Sequence, residues 1–455
     1  MLISNDIANL ILITISLLMV FLDNTISKSN NHKISEVICY FSITIFLINN
    51  FINFIANGFY SKDDLNFILL CSSLFISLNS FLFIRLFSLN KLNIEYGKVY
   101  FLVISHLAAV NIFLNTSYNF IKAISSIAFL IIVITLVIKT TQGSKKAEIA
   151  IKLVYICVIL LISELINIFF SNILNIENIN LIKSNHIINI NNIFIFFTII
   201  SIFCLSGIAP FHDGYINIAD ASNPATAFLV YSNSSIIGIF SLFKLKYQFF
   251  SDYYIDDKLL KSIITILLVS FLIISLRSID QNKIKRTLAY IASCVTPLVF
   301  LASLIGNSLS LPNRIYIIGI YAFTTLSLFS IFASIQVMKN INNHLVTWED
   351  IAGFGRNNIL NTICLLIAIA NIAGIPGTIG YFLKLSLLSY MQENLFFHIL
   401  IFLSIVLTTA SLMRLFVFFY AKNSFLKEQD NNNFSYLLVI SCFILAVLGL
   451  FPFIR

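Results

Sequence analysis

The sequence predicts an all-α polytopic membrane protein, and three observations carry that prediction. Hydrophobic residues make up 59% of the 455-residue chain and charged residues only 11%, with a mean hydropathy of +0.95. A soluble domain carries roughly 25% charged residues and has no way to cover this much apolar surface. The apolar residues fall into about fourteen runs, each close to the ~20 residues that cross a hydrocarbon core. Lysine and arginine gather in the connections between the runs.

In order, the runs centre on Ile7–Phe21, Val37–Ile55, Phe67–Leu89, Tyr100–Leu114, Phe120–Ile138, Ile149–Ile173 and Ile193–Ala209. They continue with Ala225–Phe243, Leu260–Leu276, Thr287–Ile305, Ile315–Val337, Ile359–Tyr390, Phe396–Phe419 and Phe434–Phe453. Only Asn115–Asn119 separates the fourth from the fifth. The first run has no Lys or Arg before it, so it reads as a retained span rather than a cleaved signal peptide. Odd-numbered connections hold most of the positive charge, from Lys28 and Lys33 through Lys145, Lys146 and Arg277 to Lys422 and Lys427. Even-numbered ones are poorer, apart from the cluster Lys244 to Lys261. The positive-inside rule then places the odd connections in the cytoplasm or matrix and both termini outside. The longest polar segments, Leu174–Asn192 and Ala421–Asn433, read as loops, so residues 1–455 form a single integral membrane domain.

Two runs are interrupted where hydrocarbon should continue. Gly207, Pro210, His212 and Pro224 break the seventh run and the segment after it, and Asn371-Ile-Ala-Gly-Ile-Pro-Gly377 breaks the twelfth through Gly374 and Pro376. Glycine and proline open the helical hydrogen-bond ladder, and the freed groups must be buried in protein or wetted. Paired interrupted helices are the best sequence pointer to an ion site. Helical continuity would place Lys384 roughly 12 Å beyond Pro376.

An ionisable group at membrane depth costs at least ~2.5 kcal/mol, so each one needs a reason. Lys384 reads as a protonatable relay, with a lysine snorkelling to the interface as the bland alternative. Glu164 is either a carboxylate relay or a structural partner for a lysine on a neighbouring helix. Glu148 and Lys152 stand at i, i+4, the spacing of an interfacial ion pair. Lys122 and Arg414 lie close enough to helix ends to snorkel. His212, at the break, suits a proton path, whereas His106 reads as structural.

Several chemistries are excluded. The net charge of +8 is accounted for by topology, and no basic stripe with interleaved aromatics marks a nucleic-acid surface. The seven cysteines stand singly in apolar runs without Cys-x-x-Cys spacing, which argues against a zinc or iron–sulfur site. Dinucleotide, P-loop, zincin and nucleophile-elbow motifs are missing. Any redox centre belongs to another subunit.

Four segments carry a resemblance. Ala209-Pro-Phe-His212 with Asn223-Pro-Ala-Thr-Ala-Phe-Leu229, Gln281-Asn-Lys-Ile-Lys-Arg-Thr-Leu-Ala-Tyr290, and Ala373-Gly-Ile-Pro-Gly-Thr-Ile-Gly-Tyr-Phe-Leu-Lys384 resemble signatures of the antiporter-like proton-translocating membrane subunits. Glu148-Ile-Ala-Ile-Lys152 is a weaker match. The order and spacing of the four agree, and the form of the third is most similar to the N (mitochondrial subunit 2) members of respiratory complex I. The resemblance implies two inverted five-helix repeats, approximately 118–245 and 260–420, each with a broken helix. It implies a proton path through Lys384, with His212, Lys285, Arg286, Glu148 and Lys152 at matching positions. It also implies that the chain itself binds no redox cofactor. Flavin, iron–sulfur clusters and quinone would lie in partner subunits, and the neighbours would be other antiporter-like and small K-, J- and A-like membrane subunits. The location would be a bacterial inner or mitochondrial inner membrane.

The departures are as informative. The family's glutamate on its fifth helix falls on Ile127 or Ala128, its lysine on the first broken helix on Leu205, and the next lysine on Ser234. A histidine position falls near Val295. The first half-channel is therefore expected to be inactive, to conduct through water near Ser206, Asn233, Ser234 and Ser235, or to use substitutes such as Lys122, Glu164 or Lys244. The rival functions are a subunit of an Mrp-type cation/proton antiporter and a structural subunit that has lost conduction.

Overall fold

The computed structural model describes residues 11–15, 28–56, 64–88, 96–116, 119–140, 146–180, 185–249, 257–305, 313–341, 348, 359–391 and 394–419. Helices dominate them: α1 (Lys28–Ala56), α2 (Asp64–Ser88), α3 (Tyr96–Asn115), α4 (Asn119–Thr140), α5 (Lys146–Asn180), α6 (Asn185–Ser206) and α7 (His212–Ala221). They continue with α8 (Pro224–Phe249), α9 (Asp257–Ile279), α10 (Ile284–Ile305), α11 (Asn313–Ile341), α12 (Ile359–Ala373), α13 (Ile379–Met391) and α14 (Leu395–Phe419). Among the described residues 10 helices are long and apolar enough to span a membrane, fewer than the runs counted in the sequence. The expected span Phe434–Phe453 and most of Ile7–Phe21 lie outside the described residues. The two interrupted runs yield shorter apolar helices, Ile193–Ser206 and Ile379–Ser389, because their breaks end the helical ladder.

The chain divides into two compact units, Met1–Ser206 with Ile236–Leu259 and Gly207–Ser235 with Leu260–Arg455. One boundary is the break after α6, and another falls inside α8.

In the first unit, α1 packs on α2 and α3, and the chain then proceeds by neighbour contacts through α4, α5 and α6. Asn50, Asn111 and Asn115 bond one another across α1 and α3: Asn50 Nδ2 donates to Asn111 Oδ1 at 3.1 Å, and Asn115 Nδ2 donates to Asn50 Oδ1 at 3.1 Å. Such amide pairs join helices where lipid leaves no hydrophobic difference to drive association. The spanning part of α5 is only 28% buried, and Ile151, Val154, Tyr155, Val158 and Leu165 cover its outer face. Lipid suits that face. Serine hydroxyls inside the helices bond backward to carbonyls three or four residues earlier, as Ser163 does to Leu160 at 2.8 Å. That satisfies them without a neighbour.

The second unit centres on α10, 94% buried and packed on α7, α11, α13 and α14. Pro297 lies inside α10 and deprives the Ser293 carbonyl of its usual amide donor. The Thr296 hydroxyl donates to that carbonyl at 3.0 Å, the kind of replacement that makes proline tolerable in an apolar helix. Tyr316 of α11 donates to Ala302 O of α10 at 3.1 Å and lies 3.2 Å from the Ser386 hydroxyl of α13.

Arg414 corrects the snorkelling expectation. Its Nη1 donates to Ile279 O at 2.9 Å, capping the end of α9, and its guanidinium sits 4.5 Å from the Trp348 ring centroid. Trp348 Nε1 donates in turn to Gln281 O at 3.0 Å. A planar cation is needed both to stack and to reach the carbonyl. Arg414→Lys is expected to lower the thermal midpoint of the detergent-solubilised protein, with a cost of about 1–2 kcal/mol, and Arg414→Ala to lower it further.

Candidate functional site

The second interrupted helix is built around one lysine. α12 ends at Ala373, the chain turns through Gly374 to Thr378, and α13 begins at Ile379. Gly374 and Gly377 hold φ of +80° and +91°, the left-handed region that side chains resist. Thr378 accepts from Tyr381 N at 3.4 Å as the cap of α13, and Asn371 Oδ1 accepts from Gly380 N at 3.0 Å. In sequence Asn371 is the first residue of the interrupted stretch. Its amide oxygen, reaching back across the turn, is what closes it.

Lys384 lies on α13, in the second turn after the break. Its side chain folds back, and Nζ donates to Ile372 O at 2.7 Å and Ala373 O at 2.8 Å. These are terminal carbonyls of α12, where the helix dipole is negative and no amide partner follows. The side chain is 5% exposed, which rules out snorkelling. A Cβ on Gly374 would sit 2.7 Å from Lys384 Cδ, so the glycine is also the passage for the lysine stem.

The first break has a different content. Gly207 holds φ of +67°, and a Cβ there would run into the Tyr215 ring at 2.5 Å. Phe211 N closes the turn on Ile208 O at 2.7 Å across Pro210. His212 opens α7 and is buried, with Nε2 3.4 Å from Asp213 Oδ1, which in turn lies 3.4 Å from Arg277 Nη1. A cavity of about 530 Å³ adjoins His212, Asp213 and Arg277. Lys285 and Arg286 stand half-buried in the first turn of α10.

In the first unit, a cavity of about 180 Å³ is lined by Lys122 of α4, Glu164 and Asn167 of α5, Ser201 and Leu205 of α6, and Lys244 of α8. Lys244 Nζ donates to Thr116 O at 3.4 Å, and the Ser201 hydroxyl donates to Thr198 O of its own helix at 2.8 Å. Lys122 therefore faces a cavity instead of an interface. Lys244, read from the sequence as part of a loop cluster, lies on α8; its signal was the apolar run that continues past Phe243.

Glu148 and Lys152 form the expected ion pair, Oε1 to Nζ at 2.8 Å with both side chains well exposed. Such a pair contributes ~0.5 kcal/mol at most. Ser206, Ser234 and Ser235 donate to Ile202 O, Tyr231 O and Ser232 O of their own helices. His106 is buried with its ring 4.7 Å from Phe129, in keeping with a structural role. Ile127 and Ala128 lie half-buried on α4, and Val295 is buried in α10.

Similarities to known proteins cover both breaks. The model of the family NADH:quinone oxidoreductase/Mrp antiporter, TM matches residues 114–411, well over half the chain. NADH-quinone oxidoreductase subunit N 2 of Thermodesulfovibrio yellowstonii is 29% identical over 256 residues, 54% of this chain and 52% of that protein. Subunit N of Buchnera aphidicola is 28% identical over 270 residues, 56% of this chain and 54% of that protein. The chain thus spans about half the length of these curated relatives. A chain of respiratory complex I from Thermus thermophilus superposes with a TM-score of 0.76 at 14% identity, covering 98% of this chain and 97% of that one. A chain of an archaeal membrane-bound sulfane sulfur reductase gives 0.76 at 16% identity, covering 98% and 94%. At such identity these two show the fold. With both interrupted helices inside the matched region, the chain belongs to the NADH:quinone oxidoreductase/Mrp antiporter transmembrane family.

Proposed function

We propose that this chain is an N-like membrane subunit of a proton-translocating NADH:quinone oxidoreductase, moving charge while quinone chemistry proceeds elsewhere in the complex. The observation that carries the reading is Lys384, a buried amine bonded to two terminal carbonyls of a broken helix. A neutral amine has two N–H groups and an ammonium three. Two hydrogens hold Ile372 O and Ala373 O in either state, so the third is the one that can leave or return without undoing the break. The negative end of α12 favours that third proton, and the surrounding apolar packing opposes it. Those opposed influences make a proton-exchanging site.

On this reading the chain forms about fourteen spans, with inverted repeats near 118–245 and 260–420, each holding one interrupted helix. Both termini face the outer side of a bacterial inner or a mitochondrial inner membrane. Flavin, iron–sulfur clusters and quinone sit on partner subunits, and the neighbours are other antiporter-like and small K-, J- and A-like subunits. The likeness to curated subunit N proteins supports this assignment.

Affinity purification through a tag on this chain, in mild detergent, tests it. Mass spectrometry of the eluate is expected to find NADH-oxidising flavin and iron–sulfur subunits. An eluate holding only small antiporter subunits, with Na⁺-dependent transport, would overturn the reading in favour of an Mrp-type assembly.

A further inference from the structure

We propose that the groove beside the first interrupted helix seats one phospholipid of the phosphatidylethanolamine type, its phosphate held by Arg277 and His212 and its ammonium by Asp213. The inference goes beyond the proton-translocating reading and does not depend on which complex the chain joins.

The groove is the cavity of about 530 Å³ described above. Pro210, His212 and Asp213 wall one side, Ile266, Val269 and Ile273 of α9 wall the other, and Arg277 lines it as well. That volume is in the range of small-molecule pockets. The three apolar residues are spaced i, i+3, i+7 and share one helix face with Arg277. They are 38% to 44% exposed. Helix rise separates Ile266 from Arg277 by roughly 16 Å, about half of a ~30 Å hydrocarbon core. The stripe is thus one leaflet deep, apolar along its length and charged where it ends. An acyl chain fits the first part and a headgroup the second.

The headgroup end offers three kinds of partner. Arg277 stands in the last turn of α9, and its guanidinium fork matches phosphate oxygens. α7 begins at His212, and Phe211 before it gives no side-chain hydrogen bond to the first amides, so the positive end of that helix is open to an anion. His212 is only 5% exposed, yet neither ring nitrogen makes a hydrogen bond among the described residues. Buried polar atoms usually have a partner, and a lipid phosphate or ester oxygen would accept the imidazole N–H. Asp213 supplies the selectivity. Its Oδ1 lies 3.4 Å from Arg277 Nη1 and 3.4 Å from His212 Nε2, so it repels a purely anionic headgroup. It attracts an ammonium that a short ethanolamine link keeps beside the phosphate. Choline has no N–H to donate, and a glycerol headgroup has no positive charge.

The test irradiates native membranes containing the assembled complex with a phosphatidylethanolamine that carries a diazirine on its acyl chain. Adducts are mapped by peptide mass spectrometry. They are expected on α9 residues 266–273. Unlabelled phosphatidylethanolamine is expected to displace them about tenfold better than phosphatidylcholine or phosphatidylglycerol, the discrimination that one charge-assisted hydrogen bond gives. Arg277→Gln is expected to lower the α9 adducts about tenfold, and Asp213→Asn to abolish the headgroup preference. The exposed face of α5, residues 151–165, takes adducts from bulk lipid in the same sample and is the reference for an inserted chain. α9 adducts that follow this reference through every headgroup and variant overturn the proposal, leaving bulk lipid alone. So does an unlabelled α9 beside a labelled α5, which means that a partner subunit covers the groove. Displacement by glycerophosphoethanolamine, a headgroup without acyl chains, overturns it in favour of a site for a soluble phosphate ester.

Discussion

Lys384→Met is expected to abolish proton movement through the second unit while leaving the chain folded and assembled. The two outcomes follow from magnitudes that nearly cancel. Burying a lysine at membrane depth costs at least ~2.5 kcal/mol, and hydrogen bonds from a charged donor return about 1.5–3 kcal/mol each. Methionine keeps the stem volume over Gly374, removes the charge and leaves Ile372 O and Ala373 O to the remaining turn geometry. With two such bonds the net stability change is at most about 3.5 kcal/mol, a shift of several degrees for a protein of this size. Proton movement has no such compensation, since methionine holds no exchangeable hydrogen. The check is a pair of readings on one preparation: thermal unfolding of the purified complex, and acidification on NADH addition in proteoliposomes. Wild-type pumping by Lys384→Met would remove the lysine from the mechanism. Collapse of the complex would make it a structural pin.

Gly380→Ala is expected to have the largest effect on folding. A Cβ at that position would lie 1.8 Å from Asn371 O and 2.9 Å from Phe323 Cε2. The first obstacle is backbone, which no rotamer change relieves, so α12 and α13 would have to separate at the break. Overpacking that forces backbone apart costs 3 kcal/mol or more, roughly a third of a typical domain's margin. Gly377→Ala provides the contrast. Its φ of +91° makes alanine strained, yet nothing lies within 4 Å of the added carbon, so the cost is that of the left-handed backbone alone, about 1–2 kcal/mol. Membrane content of the two variants, measured by immunoblot after matched expression, should separate them clearly. Equal accumulation would contradict the close approach of Asn371 and Gly380.

Much of this architecture was legible because a bilayer imposes length. An apolar run followed by Lys or Arg is a span with few rivals, and the two Gly–Pro interruptions marked where helices had to stop. The geometry of those stops was not legible. Nothing local to Lys384 announces that its stem turns back over Gly374, since that depends on five residues leaving the helix between Ala373 and Ile379. Arg414 and Lys122 looked like side chains near helix ends, which they are. What decided their surroundings was packing in three dimensions, the Trp348 ring for one and the cavity with Glu164 and Lys244 for the other. Lys244 was obscured by its neighbours, because a lysine-rich stretch reads as a loop even when the helix runs through it.

Pro297 and Thr296 of α10 have a consequence for how this chain drifts over generations. The hydroxyl answers a need that only the ring creates, so the two codons share a fate in one order and not in the other. A lineage that first exchanges Pro297 regains a backbone donor and frees Thr296 to become any small residue. A lineage that first exchanges Thr296 inherits a bare carbonyl in a deeply enclosed helix. Neutral paths through this part of sequence space therefore run one way.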